Sequence, residues 1–173
     1  RKSSCTHRFH AGNAFFAPWE GAFCYLPGMS THPGACELCD TPGGEVLWQD
    51  GRCRVIRVGG AEAAAFPGFC RVVWQPHIRE MSDLPPADRR HLLEVVAATE
   101  AAVRIAVAPD KINLASLGNV VPHLHWHVIP RWADDSHFPA PIWAGAARPV
   151  PARAQPTNEA LQAALMAALG GNP

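Results

Sequence analysis

Residues 111–131 read KINLASLGNVVPHLHWHVIPR and contain three histidines that alternate with bulky apolar residues. Alternation with a period of two is typical of a half-buried β-strand. Side chains two apart on a strand share a face and stand roughly 6.5 Å apart, at about 3.3 Å rise per residue. The pattern therefore predicts that His123, His125 and His127 form one row, while the apolar residues between them enter a core.

Two prolines, Pro122 and Pro130, bracket this predicted strand. They favour a sheet edge or a strand end, because proline cannot donate a ladder hydrogen bond. The row between them has three interpretations. A satisfied surface row, or a chance cluster in a chain with nine histidines, is disfavoured, since burying three polar rings without partners costs free energy. A metal site and nucleophilic catalysis, in which a neutral imidazole attacks phosphorus, both remain open.

Length and charge restrict the class of protein. A chain of 173 residues fits one domain with a sizeable core. Its 48% hydrophobic and 17% charged residues are those of an ordinary globular protein, and no apolar run approaches the roughly 20 residues of a membrane span. Fifteen basic residues balance fifteen acidic ones, so no net field favours nucleic acid or an anionic membrane.

Cysteine spacing suggests a metal site. Cys36 and Cys39 form a CxxC pair, a spacing used for metal binding or redox chemistry, and we therefore expect a reducing cytoplasm. A thioredoxin-type role is disfavoured, because the pair does not follow a predicted strand and open a predicted helix. Tetrahedral zinc would need two further ligands, and His77 lies just after the third predicted strand. The remaining thiols are interpreted as chemically idle: Cys5, Cys24, Cys53 and Cys70.

The pattern of elements predicts an α+β fold. Strands are expected at 45–48, 53–58, 69–74, 111–117 and 123–129, and helices at 85–107 and 158–169. Asp83 and Thr157 are the expected helix N-caps. Strands, then one long helix, then strands are typical of this class, and short hairpin links allow an antiparallel sheet.

The alternating histidines, preceded by Asn113 and by the pair Gly118 and Asn119, resemble the signature of the histidine triad (HIT) family. Members of that family are nucleotidyl hydrolases and transferases. The resemblance implies a HIT-like five-stranded antiparallel sheet with one long helix and a short C-terminal helix, and usually a homodimer. No organic cofactor is implied, and the expected partner is a nucleotide substrate.

The resemblance also divides the chain. Residues 1–33 are expected to form a poorly structured N-terminal extension, residues 34–145 the HIT domain, and residues 146–173 a C-terminal arm with a short helix.

Some HIT proteins, and the related galactose-1-phosphate uridylyltransferases, carry a zinc site. Their ligands are a CxxC pair, a histidine after the strand that precedes the long helix, and the first histidine of the triad. Carried over to this sequence, the resemblance implies a zinc site formed by Cys36, Cys39, His77 and His123. Four closed ligands describe a structural ion rather than an open catalytic one.

The middle histidine is the nucleophile in the family, so the resemblance assigns this role to His125. It would attack the α-phosphorus of a nucleoside phosphoric anhydride, ester or phosphoramidate and form a nucleotidyl-histidine intermediate. His127 would donate a hydrogen bond to a nonbridging phosphate oxygen. Asn113 and Asn119 match positions that bind ribose or phosphate. Gly118 would let the backbone approach the phosphate closely.

The sequence departs from the family pattern at several positions. Phe69 stands where many members have a histidine, Pro122 precedes the triad, and Val120 stands where some members have a serine. These changes leave the leaving group, and so the substrate, undefined. Trp143 falls where some members send an aromatic side chain toward the partner's site, and it equally fits an arm packed on its own domain.

Two alternative functions remain at this stage. One is a nucleotide-binding regulator with little turnover. The other is a metalloenzyme that uses the histidine row as its ligands, which would need an open coordination position and a carboxylate base. Asp134 and Asp135 are the only candidate bases downstream of the row.

Overall fold

The computed structural model describes residues 36–170, so the extension expected over 1–33 lies outside the described residues. The strands are β1 (Glu45–Gln49), β2 (Cys53–Arg57), β3 (Cys70–Trp74), β4 (Lys111–Ala115) and β5 (His125–Arg131). The helices are α1 (Glu37–Asp40), α2 (Gly60–Ala65), α3 (Pro86–Val107) and α4 (Asn158–Ala168), with a 3-10 turn at Met81–Asp83. Within 36–170, no helix is long and apolar enough to cross a bilayer.

The strands form one antiparallel sheet in the order β1-β2-β3-β5-β4. The predicted α+β fold, with a five-stranded sheet, one long helix and a C-terminal helix, is confirmed. The hairpin between β1 and β2 turns at Asp50, whose Oδ1 accepts backbone hydrogen bonds from Arg52 (2.7 Å) and Cys53 (2.8 Å). This Asx-type turn is why the chain reverses there.

Of the two predicted helix N-caps, one is confirmed and the other is wrong. Thr157 caps α4 as predicted, since its hydroxyl accepts from the backbone of Ala160 at 3.1 Å. The cap predicted at Asp83 is wrong, because that residue lies in the 3-10 turn and Pro85 is the N-cap of α3. Prolines at the helix start fix the backbone and lack N–H groups, which reduces the need for a side-chain cap.

The histidine strand is central rather than at an edge. β5 lies between β3 and β4, and it runs from His125 through Pro130 to Arg131, two residues later than predicted. Beyond Val128, β5 pairs with β4 alone. Pro130 is therefore tolerated inside the strand, because the sheet has no β3 partner at that position.

The two faces of the sheet have different roles. Helices α3 and α4 cover one face, where Leu92, Val103 and Leu161 pack against Val72 and Val128. Because side chains alternate along a strand, the histidines of β5 project from the opposite face. Ile129, two residues beyond His127, packs there in a cluster with Phe66 and Phe69.

A buried ion pair ties the end of β5 to the loop that follows. Arg131 and Asp135 are 1% and 0% exposed, and two hydrogen bonds of 2.7 and 3.1 Å join them. Asp135 also accepts from the backbone N–H groups of Trp132, His137 and Phe138. Burial alone would raise the pKa of Asp135, but the hydrogen bonds from Arg131 and the backbone lower it to about 2.

Replacing Asp135 by asparagine is expected to lower the free energy of unfolding by about 3–5 kcal/mol, because the variant leaves a buried guanidinium without its counter-charge. Urea denaturation measures the difference. Asp134→Asn is the matched control, since the Asp134 side chain is 70% exposed in its ion pair with Arg153, and exposed pairs contribute about 0–1 kcal/mol. Equal stability of the two variants would contradict this account.

Candidate functional site

Four potential metal ligands meet at one end of the sheet. Cys36 is the N-cap of α1 and Cys39 lies within that helix, whereas His77 follows β3 and His123 precedes β5. Nδ1 of His123 lies 3.5 Å from Sγ of Cys36 and 3.3 Å from Sγ of Cys39. Nδ1 of His77 lies 3.5 Å from Sγ of Cys39, and the four ligand atoms lie within 4.8 Å of one another. The structure thus brings together all four residues predicted as ligands.

The donor set fits zinc. Tetrahedral bonds of about 2.3 Å to sulfur and 2.0 Å to nitrogen place these atoms about 3.5 Å apart. Nε2 of His123 lies 2.6 Å from the carbonyl oxygen of Trp74, which only accepts, so Nε2 carries the proton and Nδ1 presents its lone pair to the sulfurs. Metal-binding histidines are commonly oriented by such a backbone carbonyl.

The CxxC pair opens a helix, since Cys36 is the N-cap of the four-residue helix α1, and the residues before Cys36 lie outside the described part of the chain. Burial, together with the hydrogen bond and charge of Cys36, raises the pKa of Cys39 to about 11. A bound cation would allow both sulfurs to ionise, which favours the metal interpretation.

Arg54 braces the turn that carries the two cysteines, and the sequence did not reveal it. Its guanidinium donates to the backbone carbonyls of Leu38 (2.6 Å) and Pro42 (3.1 Å) and to Oε1 of Gln75 (3.0 Å). Only 7% of Arg54 is exposed. In the sequence, the only sign of this role was the charged Arg54 at the second position of the strand CRVIR.

His125 has a defined tautomer. Its Nδ1 lies 2.6 Å from the carbonyl oxygen of His123, so the proton resides on Nδ1 and Nε2 carries a lone pair. Burial lowers the pKa of His125, which keeps the ring neutral near pH 7. Ser116 donates to the carbonyl oxygen of His125 at 2.8 Å and fixes the end of β4 against the start of β5.

His127 lies beside His125, with ring centroids 4.8 Å apart. Burial, then the proximity of His125 and Arg71, lowers the pKa of His127 to about 3. The ring of Phe69 lies 5.8 Å away and that of Trp143 lies 5.2 Å away. Trp143, itself 46% exposed, therefore packs on the triad of its own chain.

The predicted row is only partly formed. His125 and His127 share the face of β5 that is opposite to helices α3 and α4. His123, in contrast, precedes the strand and turns toward the cysteines. His125 and His127 are 7% and 6% exposed, so the two rings are largely covered. A ligand must therefore pass the side chains that cover these rings, and Trp143 is one of them at His127.

The other predicted binding residues occupy the approach to β5. Gly118 adopts φ +65°, a left-handed conformation that favours glycine, and Asn119 is exposed. Oδ1 of Asn113 accepts from Arg131 at 2.6 Å, so its amide nitrogen is the group left to meet a ligand. A cavity of about 200 Å³ lies between the segments 79–81 and 116–118 and reaches His123.

Both carboxylates considered as a base for the metalloenzyme alternative, Asp134 and Asp135, are engaged in ion pairs. Both oxygens of Asp135 are occupied inside the buried ion pair, and Asp134 pairs with Arg153. Among residues 36–170, neither His125 nor His127 belongs to a group of three side chains positioned to hold a metal.

Comparisons with known proteins show which family and which solved structures this chain resembles. Residues 44–134 match the model of the HIT domain family. A histidine triad protein from Sinorhizobium meliloti 1021 is 27% identical over 84% of this chain and 100% of that chain, with a TM-score of 0.56. A histidine triad protein from Marinobacter aquaeolei VT8 is 26% identical over 78% of this chain and 94% of that chain, with a TM-score of 0.59.

A zinc-bound histidine triad family protein from Mycobacterium smegmatis shares the fold at 23% identity, over 79% of this chain and 94% of that chain, with a TM-score of 0.50. No curated protein sequence matches the chain. The family match spans more than half of the 173 residues and contains the whole histidine motif. The chain therefore belongs to the HIT domain family.

Proposed function

We propose that this protein is a nucleotidyl hydrolase or transferase that acts through a covalent intermediate on His125. Family membership supports the coarser statement, a nucleotide-binding protein of the hydrolase and transferase superfamily. The observation that carries the finer proposal is the 2.6 Å contact between Nδ1 of His125 and the carbonyl oxygen of His123. It leaves the Nε2 lone pair of a neutral ring as the nucleophile.

The proposed reaction has two displacements at phosphorus. In the first, the Nε2 lone pair of His125 forms a bond to the α-phosphorus of a nucleoside anhydride, ester or phosphoramidate. The bond to the leaving group breaks, and that group takes the bonding electrons. In the second, water or another acceptor attacks phosphorus and releases its proton to solvent, the phosphorus–nitrogen bond breaks, and its electrons return to Nε2 of His125 as a lone pair.

The neighbouring residues would stabilise charge during these steps. His127 would donate a hydrogen bond to a nonbridging oxygen as negative charge develops there. The backbone at Gly118 would contact phosphate, and the exposed side chain of Asn119 and the amide nitrogen of Asn113 would contact ribose or phosphate.

We also propose a structural zinc ion held by Cys36, Cys39, His77 and His123. Bound zinc would supply a cross-link between the turn of α1, the end of β3 and the start of β5. The ring of His123 faces the two sulfurs, and the backbone carbonyl of the same residue orients His125. His123 would therefore link the metal centre to the proposed nucleophile.

A homodimer in a reducing cytoplasm completes the proposal. Cys36, Cys53 and Cys70 are free thiols, which fits that compartment. β4 is an edge strand, and Leu114 on it and Leu117 just after it are 41% and 47% exposed. Exposed apolar edges favour pairing with another chain. Light scattering should give twice the 18.6 kDa of one chain, and a monomer would contradict this part.

A nucleotide-binding regulator is the second candidate function. The observation that favours it is the covering of the triad, where His125 is 7% exposed and Trp143 lies beside its neighbour. Such a protein would bind a nucleotide without turning it over.

The experiment that separates these functions incubates untagged protein with four kinds of adenylated compound: dinucleoside polyphosphate, aminoacyl-adenylate, phosphoramidate and nucleotide sugar. We expect at least one kind to release nucleoside monophosphate, and brief exposure to EDTA should leave the rate unchanged. If calorimetry shows that AMP binds and none of the four kinds of compound is turned over, the regulator is favoured. Loss of turnover in EDTA with the fold intact would favour metal catalysis.

A further inference from the structure

Arg71 makes a contact with the triad that the sequence did not reveal. It stands directly opposite His127 in the pairing of β3 with β5, and its Nε lies 3.4 Å from Nδ1 of His127. A guanidinium is always charged and only donates hydrogen bonds. Nδ1 of His127 must therefore accept, and the single proton of the neutral ring resides on Nε2.

The two neighbouring histidines thus carry their protons on opposite nitrogens. A backbone carbonyl keeps the proton of His125 on Nδ1, which leaves a lone pair on Nε2. The side chain of Arg71 keeps the proton of His127 on Nε2, which makes that atom a donor. Attack on a phosphate requires a lone pair, which His125 offers, and stabilisation of the phosphate oxygen requires a hydrogen-bond donor, which His127 offers.

Arg71 is itself held in place by two neighbours. Its Nη2 donates to Oε2 of Glu62 on α2 at 3.1 Å, and its guanidinium carbon lies 5.7 Å from the centroid of the Phe69 ring. An arginine over an aromatic face is a favourable arrangement. Phe69, which replaces the histidine of many family members, therefore supports a cation at this point of the site.

We propose that Arg71 is a positioning residue that holds neutral His127 in the Nε2–H tautomer, so that His127 can donate a hydrogen bond to a phosphate oxygen of the substrate. The catalytic half of this inference rests on the proposed function. The tautomer itself does not, and it can be measured in the absence of substrate.

The direct test is a long-range proton–nitrogen NMR correlation on full-length protein labelled with ¹⁵N-histidine. His127→Gln assigns the signals of His127. Wild-type protein should show Nε2 of His127 as protonated and Nδ1 as an acceptor nitrogen. Arg71→Met should move a measurable fraction of His127 to the Nδ1–H form, and Arg71→Lys, which keeps a charged donor, should restore the wild-type pattern at least in part.

Arg90→Met is the matched control, because Arg90 is exposed on α3, which packs on the opposite face of the sheet. This variant should keep the wild-type pattern. A wild-type His127 protonated on Nδ1 overturns the proposal outright, even if the Arg71 variant fails to fold. An unchanged His127 pattern in folded Arg71→Met overturns it as well.

Kinetics test the catalytic half. His127 can donate only in the Nε2–H form, so Arg71→Met should lower kcat in proportion to the fraction of His127 that NMR finds in the Nδ1–H form, up to the about 10²–10³-fold that complete loss of one donor costs, while KM changes less than about threefold. A tautomer change with unchanged kcat would overturn the catalytic half and leave the proposed function standing. If wild-type protein turns over no nucleotide, the proposed function fails, whereas the NMR pattern still decides the role of Arg71.

Discussion

Replacing His125 by asparagine is expected to lower kcat by about 10⁴-fold or more, since removal of a covalent nucleophile abolishes the attacking lone pair. The asparagine amide can still donate to the carbonyl oxygen of His123, so the start of β5 should keep its structure. KM should change little, because the groups proposed to bind phosphate and ribose are retained. Steady-state kinetics on the best substrate of the panel measures both values.

The control for this prediction is His91→Gln. His91 lies on α3, on the opposite face of the sheet, where its Nε2 contacts Asp50 at 2.7 Å. We expect activity within about twofold of wild type, as no contact within residues 36–170 joins His91 to the triad. If the His125 variant retained a tenth of the wild-type kcat, the nucleophile would be wrongly assigned.

Replacing Cys36 by serine is expected to release the metal and to lower Tm by about 10 °C. A ligand present at about 1,000 times its Kd stabilises the native state by about 4 kcal/mol, and in a chain of this size that corresponds to about 10 °C. Elemental analysis of protein purified without a polyhistidine tag should find one zinc per wild-type chain and less than about half in the variant.

Cys70→Ala is the matched control for the zinc prediction. Cys70 is a buried free thiol on β3, outside the four-ligand cluster, so its replacement should leave one zinc per chain. Wild-type protein that holds less than about half a zinc per chain, with Cys36 and Cys39 intact, would contradict the metal site. A drop in Tm for both variants, with zinc retained in both, would point to packing instead.

Much of the fold was predictable because its signals are local. Period-two alternation identified the histidine strand, a helical stripe identified α3, and Thr157 identified the start of α4. The central position of β5 depends on pairing between distant segments, whereas the two prolines suggested an edge or a strand end. Pro130 lies where β3 has already stopped pairing, a fact that only the register reveals.

The position of the first histidine of the row also depends on contacts between distant segments, which local alternation does not reveal. Alternation predicted one face, but the backbone around His123 leaves the regular strand, where Leu124 accepts from Trp74 at 3.0 Å and donates to Ile78 at 2.6 Å. These irregular bonds turn the first ring toward the CxxC pair. The resemblance to a family, rather than the alternation, separated this histidine from the other two.

Charged residues of the site were harder to predict. Arg131 and Asp135 have the spacing of an ordinary exposed ion pair, and they are buried because the chain after β5 folds over them, with Ala140 accepting from Arg131 at 2.8 Å. Glu62 lies on the short helix α2, which had no distinct sequence signal. Its contact with Arg71 follows from tertiary packing alone.

The most direct measurement is intact-mass and peptide-mapping spectrometry of wild-type protein, quenched within seconds of mixing with the adenylated panel. A covalent mechanism through a neutral His125 predicts a mass increase of one nucleotidyl group, mapped to His125 and missing from the His125→Asn variant. Product formation without any adduct, or an adduct mapped to a different residue, would contradict it.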